Sequence, residues 1–435
     1  MSPSKKKEVV MKEKKLLLDV YDRPPALKWL IFSLQHVFAM FGATILVPML
    51  VNAGAGEEVL SIPVTLFTSG LGTLIYIICT KGKSPVYLGS SFAFITPMIV
   101  GFASAGKAGV FTAIVVVGLI YVLFAVLIKF IGKEWINKLL PPIIIGPMIM
   151  IIGLSLAPSA LQQIGLLENQ EFIWQNAVVA LITFSVTVGI NVYAKGFLKV
   201  IPFLVGIVTG YIASIFLGMV DFTLISETNM FIMPKFIIPF RDYAISGGAL
   251  FAIVPVVIVT IAEHIGDHKA LSVIMDRDLI EDPGLDKTLL GDGLATAAAG
   301  LLGGPSNTTY GENTAVVGMT KVASAYVVGG AAVIAIAFAF LGKLAALFES
   351  IPPAVLGGVS ILLYGFIASN GLKVLVQNQV DFDKERNVVI ASTMLVLGLG
   401  GATLSILIGN ISISLSGMAL AALIGIFLNL ILPES

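Results

Sequence analysis

The sequence is short of charge. Only 12% of its 435 residues are Asp, Glu, Lys or Arg, and 57% are hydrophobic, against about 25% charged residues in an ordinary soluble domain. Mean hydropathy is +0.99. These values exclude a water-soluble globular domain. Cysteine is almost absent. The single Cys79 excludes an internal disulfide and any multi-cysteine metal cluster, and at the end of an apolar run it reads as a small packing residue. Formal net charge is zero, so no basic surplus points to nucleic acid. There is no Gly-rich phosphate loop to support ATP-driven pumping, and no nucleophile–base pair or metal-ligating set that would make an enzyme. The first residues are Lys-rich (Lys5, Lys6, Lys7, Lys12, Lys14 and Lys15) but lack a short apolar core and a small-residue cleavage site. They read as a cytoplasmic tail, residues 1–26, rather than a signal peptide.

Long apolar runs are what the sequence has in quantity. A transmembrane helix needs about 20 mostly apolar residues. Charge-free windows of that order recur at 29–56, 59–80, 84–106, 139–161, 173–194, 200–220, 245–262, 322–342, 351–372 and 387–433. A further span covers 108–130 and another 288–302. The last window is too long for one span, and Gly409-Asn410 divides it. With the irregular stretch at 305–314 counted as a segment of its own, the expected fold is an all-α polytopic membrane protein of fourteen segments. An even count puts both termini on one side. If the N-terminus is cytoplasmic, all of the 26 basic residues fall on the cytoplasmic side except Lys107, Lys235, Arg241 and Lys343. That asymmetry is what the positive-inside rule demands, and it places the chain in the cytoplasmic (inner) membrane with both termini inside.

Two segments cannot be ordinary helices. Segment 3 contains Gly89-Ser90-Ser91-Phe92-Ala93-Phe94-Ile95-Thr96-Pro97, and segment 10 contains Pro305-Ser306-Asn307-Thr308-Thr309-Tyr310-Gly311-Glu312-Asn313-Thr314. Both are β-leaning and broken by Gly and Pro. Irregular backbone survives at membrane depth only where protein buries it or it lines a cavity. An intramembrane acid such as Glu312 costs about 2.5–3.5 kcal/mol or more, so it is a functional candidate by default. Asn307-Thr308-Thr309 formally matches a glycosylation acceptor, but membrane depth argues against that use.

The chain also repeats. Leu140-Pro141-Pro142-Ile143-Ile144-Ile145-Gly146 resembles Ile351-Pro352-Pro353-Ala354-Val355-Leu356-Gly357. Gln35-His36 echoes Glu263-His264, and the two irregular stretches echo each other. The matches fall in order on segments 1/8, 3/10 and 5/12. An odd spacing of seven segments inverts the second copy, giving a 7+7 inverted repeat. Such transporters bind substrate near the midplane, at interrupted segments in corresponding places of the two halves.

These segments offer two kinds of group. Extended backbone ahead of a half-helix presents N–H groups at Phe92 and Gly311, helped by partial positive charge at the helix start. Glu263 and Glu312 offer carboxylates to N–H donors. A planar ring with alternating N–H and C=O groups, such as a nucleobase, satisfies both sets, and Phe92, Tyr310 and Tyr364 are candidate apolar walls. Structural alternatives stand beside these roles. Glu312 could cap its half-helix, and Glu263 could be a helix-end carboxylate meeting water. Asp267 could relay a proton or face a loop, and His36 could titrate or pack. His264 and His268 read as structural or loop residues, and Asp292 as a partner for backbone or a helix end.

Gln35-His36, Gly89-Ser90-Ser91-Phe92-Ala93-Phe94, Ala262-Glu263-His264, Asn307-Thr308-Thr309-Tyr310-Gly311-Glu312-Asn313 and Thr320 resemble the nucleobase–ascorbate transporter family over residues 21–432, and within it the bacterial branch that carries uracil. The resemblance implies proton-coupled uptake without a cofactor, with sodium left open as the coupling ion, and a homodimer. It implies a core domain of residues 27–130 and 245–348 and a gate domain of 139–219 and 351–432. Carried over, Glu263 and Glu312 match the substrate-binding acids, and Phe92 and Gly311 match positions that offer backbone N–H groups. The candidates for proton coupling are Glu312, Glu263, Asp267 and His36. Glu at 312 favours uracil over purines. Two positions depart from the pattern: Ala315 stands where Gly is usual, and Asp267 where the uracil pattern has His and many purine members have Asp. A xanthine or purine symporter is the alternative, followed by an anion transporter or channel on the same plan.

Overall fold

The structure is a computed structural model that describes residues 16–168, 170–237, 243–408, 411–415 and 417–433. Helix α1 (Ala26–Ala55) follows Pro25 and ends at Gly56 in the left-handed region. Helix α2 (Ile62–Cys79) is capped by Ser61, whose side chain accepts from the Val64 N–H. Strand β1 (Leu88–Ser90) and a single 3-10 turn, Phe92–Phe94, lead into α3 (Ile95–Ile131). Gly106 breaks α3 with φ 62° and ψ −172°, so this run is two helices joined at a kink. The boundary expected between residues 106 and 108 falls there.

Helices α4 (Pro142–Ser155), α5 (Trp174–Tyr193) and α6 (Pro202–Phe216) follow. The start at Pro141-Pro142 has a local cause, since proline's fixed φ and missing N–H suit a first helical turn. A short helix, Gly247–Ile253, and a 3-10 turn, Val254–Val256, run into α7 (Val257–Met275). Next come α8 (Leu285–Leu302), β2 (Asn307–Thr309), α9 (Gly311–Thr320) and α10 (Ala325–Phe338). The chain closes with α11 (Pro353–Gln377), α12 (Glu385–Leu399), strands β3 (Leu404–Ile408) and β4 (Ile411–Leu415), and α13 (Gly417–Ile431).

Among the described residues, seven helical runs are long and apolar enough to cross a membrane, and α6, α10 and α13 are shorter apolar helices. Phe130, Leu181, Phe216 and Phe427 are exposed, as expected of a surface that meets lipid rather than water. Helix α8 packs between α2 and α3, and α10 lies on α1 and α2; α11 packs on α4 and α5, and α12 on α4 and α13. The α3–α8 crossing is tight. A Cβ at Gly118 would sit 2.5 Å from the Gly293 carbonyl, and one at Gly293 2.6 Å from Tyr121 Cβ. Small residues of this kind let membrane helices approach closely where burial of apolar surface supplies no driving force.

The structure differs from the sequence reading in three places. The segment through Glu263 does not end near Asp267. It continues to Met275, where Asp276 terminates it in the left-handed region. His264, His268, Leu271 and Met275 form a buried stripe along that extension, with the i, i+4 spacing of one helix face. The apolar run at 322–342 forms a helix only from Ala325 to Phe338, and a separate helix, Gly342–Glu349, starts at its end. Residues 387–433 do not fill two long helices. The antiparallel pair β3–β4 stands between α12 and α13, with Leu404 opposite Leu415 and Ile408 opposite Ile411. The alternation Ile411-Ser412-Ile413-Ser414-Leu415 has the two-residue period of a strand, not a helix. The proposed break at Gly409-Asn410 lies outside the described residues.

Candidate functional site

Strands β1 and β2 meet inside the helices. They pair antiparallel, with Leu88 opposite Thr309, Gly89 opposite Thr308 and Ser90 opposite Asn307. Two further bonds extend the pairing: Ser91 N–H donates to Ser306 O at 2.9 Å, and Tyr310 N–H to Tyr87 O at 3.0 Å. Every residue from Tyr87 to Ser91 and from Gly303 to Tyr310 is buried. The sequence forms strands here because Gly, Pro and β-branched Thr disfavour helix. Each strand also finds the hydrogen bonds that membrane depth requires in the other.

Side chains of the flanking helices hold this crossing. Ser69 Oγ donates to Leu88 O at 2.7 Å, and Leu88 N–H donates to Thr73 Oγ1 at 2.9 Å. Asn307 Nδ2 donates to Thr68 O and Ala295 O, each at 3.3 Å. Tyr310, a candidate substrate wall, is placed differently from the sequence reading. Its ring lies against Gly89. Its hydroxyl donates to Ser90 O at 3.0 Å and accepts from Thr44 at 3.2 Å. With ring and hydroxyl both engaged inside the protein, Tyr310 braces the strand crossing.

The crossing leads to two helix starts. The 3-10 turn begins at Phe92 and α9 begins at Gly311. The first N–H groups of a helix have no intrahelical acceptor. Within α9 the first such bond is Thr314 N–H to Tyr310 O, at 3.1 Å, so those of Gly311, Glu312 and Asn313 point out of the helix start. Gly311 is exposed, and Phe92 and Glu312 are half-buried, amid buried Asn313, Thr314, Ala93 and Phe94. The site therefore has an accessible opening in an otherwise packed interior. Glu312 turns its carboxylate back toward its own N–H.

Helix α7 brings the other acids. Glu263 and Asp267, one turn apart on one face, are both half-buried. Glu263 lies beside the Thr308 hydroxyl and within electrostatic reach of Asp267 and Glu312. The Thr308 hydroxyl makes no directed hydrogen bond among the described residues. Asp267 Oδ2 accepts from Thr309 Oγ1 at 2.5 Å, and its Oδ1 lies 3.8 Å from where a Cβ on Gly311 would be. Asp267 therefore faces the site and not a loop, and Glu263 is not a helix-end acid.

His36 is buried beside the site. Asn313 Nδ2 donates to His36 Nδ1 at 3.0 Å and to His36 O at 3.1 Å. An amide N–H can only donate, so Nδ1 accepts and the neutral ring carries its proton on Nε2. His36 thereby ties α1 to α9. The sequence reading gave His264 and His268 structural or loop roles, and their burial makes them structural, while Asp292 partners His264 rather than backbone or a helix end. His264 Nδ1 pairs with Asp292 Oδ2 at 2.8 Å, and all three side chains are fully buried. Thr308 and Thr309 lay in the motif without a role. Their contacts with the acids follow from the strand pairing, which sequence spacing alone does not reveal. Tyr364 is buried in the core, with its hydroxyl 3.5 Å from Ser159 Oγ.

Membrane-length helices around an acid-lined crossing of two broken segments define an integral membrane protein with an internal, accessible site, the architecture of a transporter. Residues 27–407 match the Permease family, of xanthine/uracil type. The chain is 46% identical over 431 residues to the uracil permease of Bacillus subtilis, covering 98% of this chain and 97% of that one. It is 48% identical over 421 residues to that of Bacillus caldolyticus, covering 96% and 95%. It is 39% identical over 416 residues to that of Escherichia coli K12, covering 95% and 93%. The chain belongs to this permease family and is a transporter, not an enzyme. Among solved structures, the transmembrane domain of the cyanobacterial bicarbonate transporter BicA aligns with a TM-score of 0.59 at 15% identity, over 94% of this chain and 98% of that one. SLC26A9 aligns with a TM-score of 0.66 at 11% identity, over 94% and 66%. At these identities the likeness shows a shared multi-span helical fold.

Proposed function

We propose that this permease takes up uracil across the cytoplasmic membrane together with a proton, by alternating access. The observation that carries the proposal is the convergence of Glu263, Asp267 and Glu312 on the start of α9, beside backbone N–H groups at Gly311. Uracil presents ring N–H groups and exocyclic carbonyls on one edge. Carboxylates accept from the former, and helix-start N–H groups donate to the latter. Phe92, half-buried at the opposite helix start, supplies an apolar surface for the ring. The high identity to uracil permeases supports uracil as the ring. Coupling follows if one of the acids takes a proton when substrate binds and releases it on the other side. Glu312, Glu263 and Asp267 face the site, whereas His36 is committed to Asn313.

The same reading includes fourteen segments in a 7+7 inverted repeat, a homodimer, and both termini in the cytoplasm. The packing of α1, α2, α3, α8 and α10 as one group, and of α4, α5, α11, α12 and α13 as another, supports a core of residues 27–130 and 245–348 and a gate of 139–219 and 351–432. Gate motion against the core would expose the site to each side in turn.

A xanthine symporter is the second reading, because Asp267, the residue that departs from the uracil pattern, faces the site. Uptake of radiolabelled uracil by a uracil-uptake-deficient bacterium expressing the chain, with unlabelled uracil or xanthine as competitor, separates the two. Competition by uracil alone supports the proposal, and equal or stronger competition by xanthine overturns the assignment to uracil.

A further inference from the structure

At the start of α1, apolar surface and positive charge meet. Leu27, Leu30 and Ile31 are exposed, and apolar side chains left open on a spanning helix face lipid. Trp29 donates its indole N–H to Tyr326 O at 2.9 Å. Aromatic side chains of this kind gather where acyl chains give way to water. Arg23 and Lys28 flank the same turn, and both are exposed. The substrate chemistry above uses none of these residues.

A cleft of about 510 Å³ lies between this turn and the segment before it, a volume in the range of ordinary small-molecule sites. The preceding segment runs alongside the link from α9 to α10. Leu18 bridges Val322 in parallel, Ala323 N–H donates to Leu18 O at 2.8 Å, and Ala325 N–H donates to Val20 O at 3.0 Å. Val20 is buried, so this side of the cleft is anchored to the protein. Pro24 and Pro25, which also line the cleft, stiffen the turn into α1. Leu17, Leu18, Ile31 and Phe32 supply its apolar lining.

The charged residues lining the cleft are Asp22, Arg23 and Lys28. Asp22 is turned into its own segment, where Oδ2 accepts from Asp19 N–H at 2.7 Å. Arg23 is held in place: its guanidinium carbon lies 4.2 Å from the centre of the Tyr326 ring, and one N–H donates to the Tyr326 hydroxyl. A guanidinium has five N–H groups, so most remain for another acceptor. Lys28 makes no hydrogen bond or ion pair among the described residues. Two cations against one internally engaged carboxylate leave the cleft positive. The chain's own residues 1–15 do not complement it, because Lys5, Lys6, Lys7, Lys12, Lys14 and Lys15 outnumber Glu8 and Glu13.

We propose that this cleft binds an anionic phospholipid of the adjoining leaflet, with its phosphate at Arg23 and Lys28 and an acyl chain over Leu17, Ile31 and Phe32. Phosphate oxygens accept strong, charge-assisted bonds from guanidinium and ammonium groups. The acyl chain extends the apolar lining onto the exposed face of α1, where lipid already lies. A zwitterionic lipid brings the same chains and phosphate but adds a cation that Arg23 and Lys28 repel. Free phosphate meets the charges and leaves the apolar lining uncovered. A lipid seated here ties α1 to the segment before it, and through Leu18 and Val20 to the link behind α9. The inference needs only a chain that spans a membrane, and it stands apart from the choice of substrate and coupling ion.

The test uses the purified full chain in neutral detergent, titrated with dioleoyl phosphatidylglycerol, dioleoyl phosphatidylcholine or inorganic phosphate. Native mass spectrometry counts the retained lipid. Unfolding temperature is followed in parallel, because a ligand of the folded state raises it. Phosphatidylglycerol is expected to bind about tenfold or more tightly than phosphatidylcholine, since each Lys or Arg near an anionic headgroup contributes about fivefold. Lys28→Gln is expected to lose about fivefold in phosphatidylglycerol affinity, and Lys28→Arg to keep it. Lys28 is exposed and unpartnered among the described residues, so neither change disturbs folding. Lys129→Gln removes an exposed lysine at the end of α3, outside the cleft, and is expected to bind like wild type. Equal affinity for the two lipids overturns the proposal. Equal losses in Lys28→Gln and Lys129→Gln also overturn it, because the attraction then belongs to the whole surface. Inorganic phosphate that stabilises as well as phosphatidylglycerol overturns it too, because the acyl chain then contributes nothing.

Discussion

Gly89 lies directly against the ring of Tyr310: a Cβ on residue 89 would sit 2.3 Å from Tyr310 Cζ and 2.7 Å from its hydroxyl. Gly89 lies in β1 and Tyr310 directly follows β2, and their contact fixes how closely the strands cross. Gly89→Ala must push Tyr310 away from Ser90 and Thr44. Overpacking of this kind costs about 1–3 kcal/mol. A lower unfolding temperature in detergent is expected, with weaker uracil binding because Gly311 directly follows Tyr310. Unchanged stability would show that the crossing is slack.

Removing the acids separates binding from folding. A hydrogen bond to a charged group contributes about 1.5–3 kcal/mol, which corresponds to about 10- to 150-fold in affinity. Glu263→Gln and Glu312→Gln are each expected to lose uracil affinity on that scale by calorimetry while the protein still folds. Affinity within twofold of wild type in either variant removes that residue from the site.

Asp267 is tethered by Thr309 at 2.5 Å. Thr309→Val keeps the side-chain volume and the strand geometry but frees the carboxylate to reorient. We expect uracil affinity to change more than unfolding temperature does. The opposite pattern, lost stability with unchanged affinity, would make the Thr309–Asp267 bond a brace.

The segment before α1 clamps both site helices at their far ends. Leu17 N–H donates to Lys321 O at 2.8 Å, Ala323 N–H to Leu18 O at 2.8 Å, and Arg277 pairs with Asp19 at 2.5 Å. Burial opposes the charged form of Asp19. The Arg277 guanidinium and the Val20 N–H outweigh it and hold the carboxyl below its ordinary value of 3.8. A depressed folded-state pKa gives stability that is complete above the unfolded value and lost as pH falls through the folded one. The pair is half-exposed, so screening limits it to under about 1 kcal/mol. Asp19→Asn should lower the unfolding temperature slightly at neutral pH. The gap to wild type should shrink as pH falls below the ordinary carboxyl value of 3.8 and Asp19 takes up its proton. A gap that persists there would assign the loss to something other than the ion pair.

The sequence made some of this architecture legible and hid the rest for physical reasons. Local signals carried the helix starts at Pro142 and Pro353, the interruptions at Gly89 and Asn307, and the acids Glu263 and Glu312. Proline, glycine and intramembrane charge each act where they stand. The pairing of Leu88 with Thr309 and the contact of Thr309 with Asp267 depend on register between distant segments, which no local pattern encodes. The end of α7 was misplaced because polar His264, Asp267 and His268 look like a loop until their burial is known. The strand pair at 404–415 was lost inside an apolar run whose two-residue alternation was legible but outweighed by the span count.

The most direct test of proton-coupled uracil uptake is to add uracil to a lightly buffered suspension of liposomes containing the protein and follow external pH. Alkalinisation that depends on uracil and is abolished by a protonophore is the expected result. Uracil accumulation without such alkalinisation, or accumulation driven only by a sodium gradient, would contradict it.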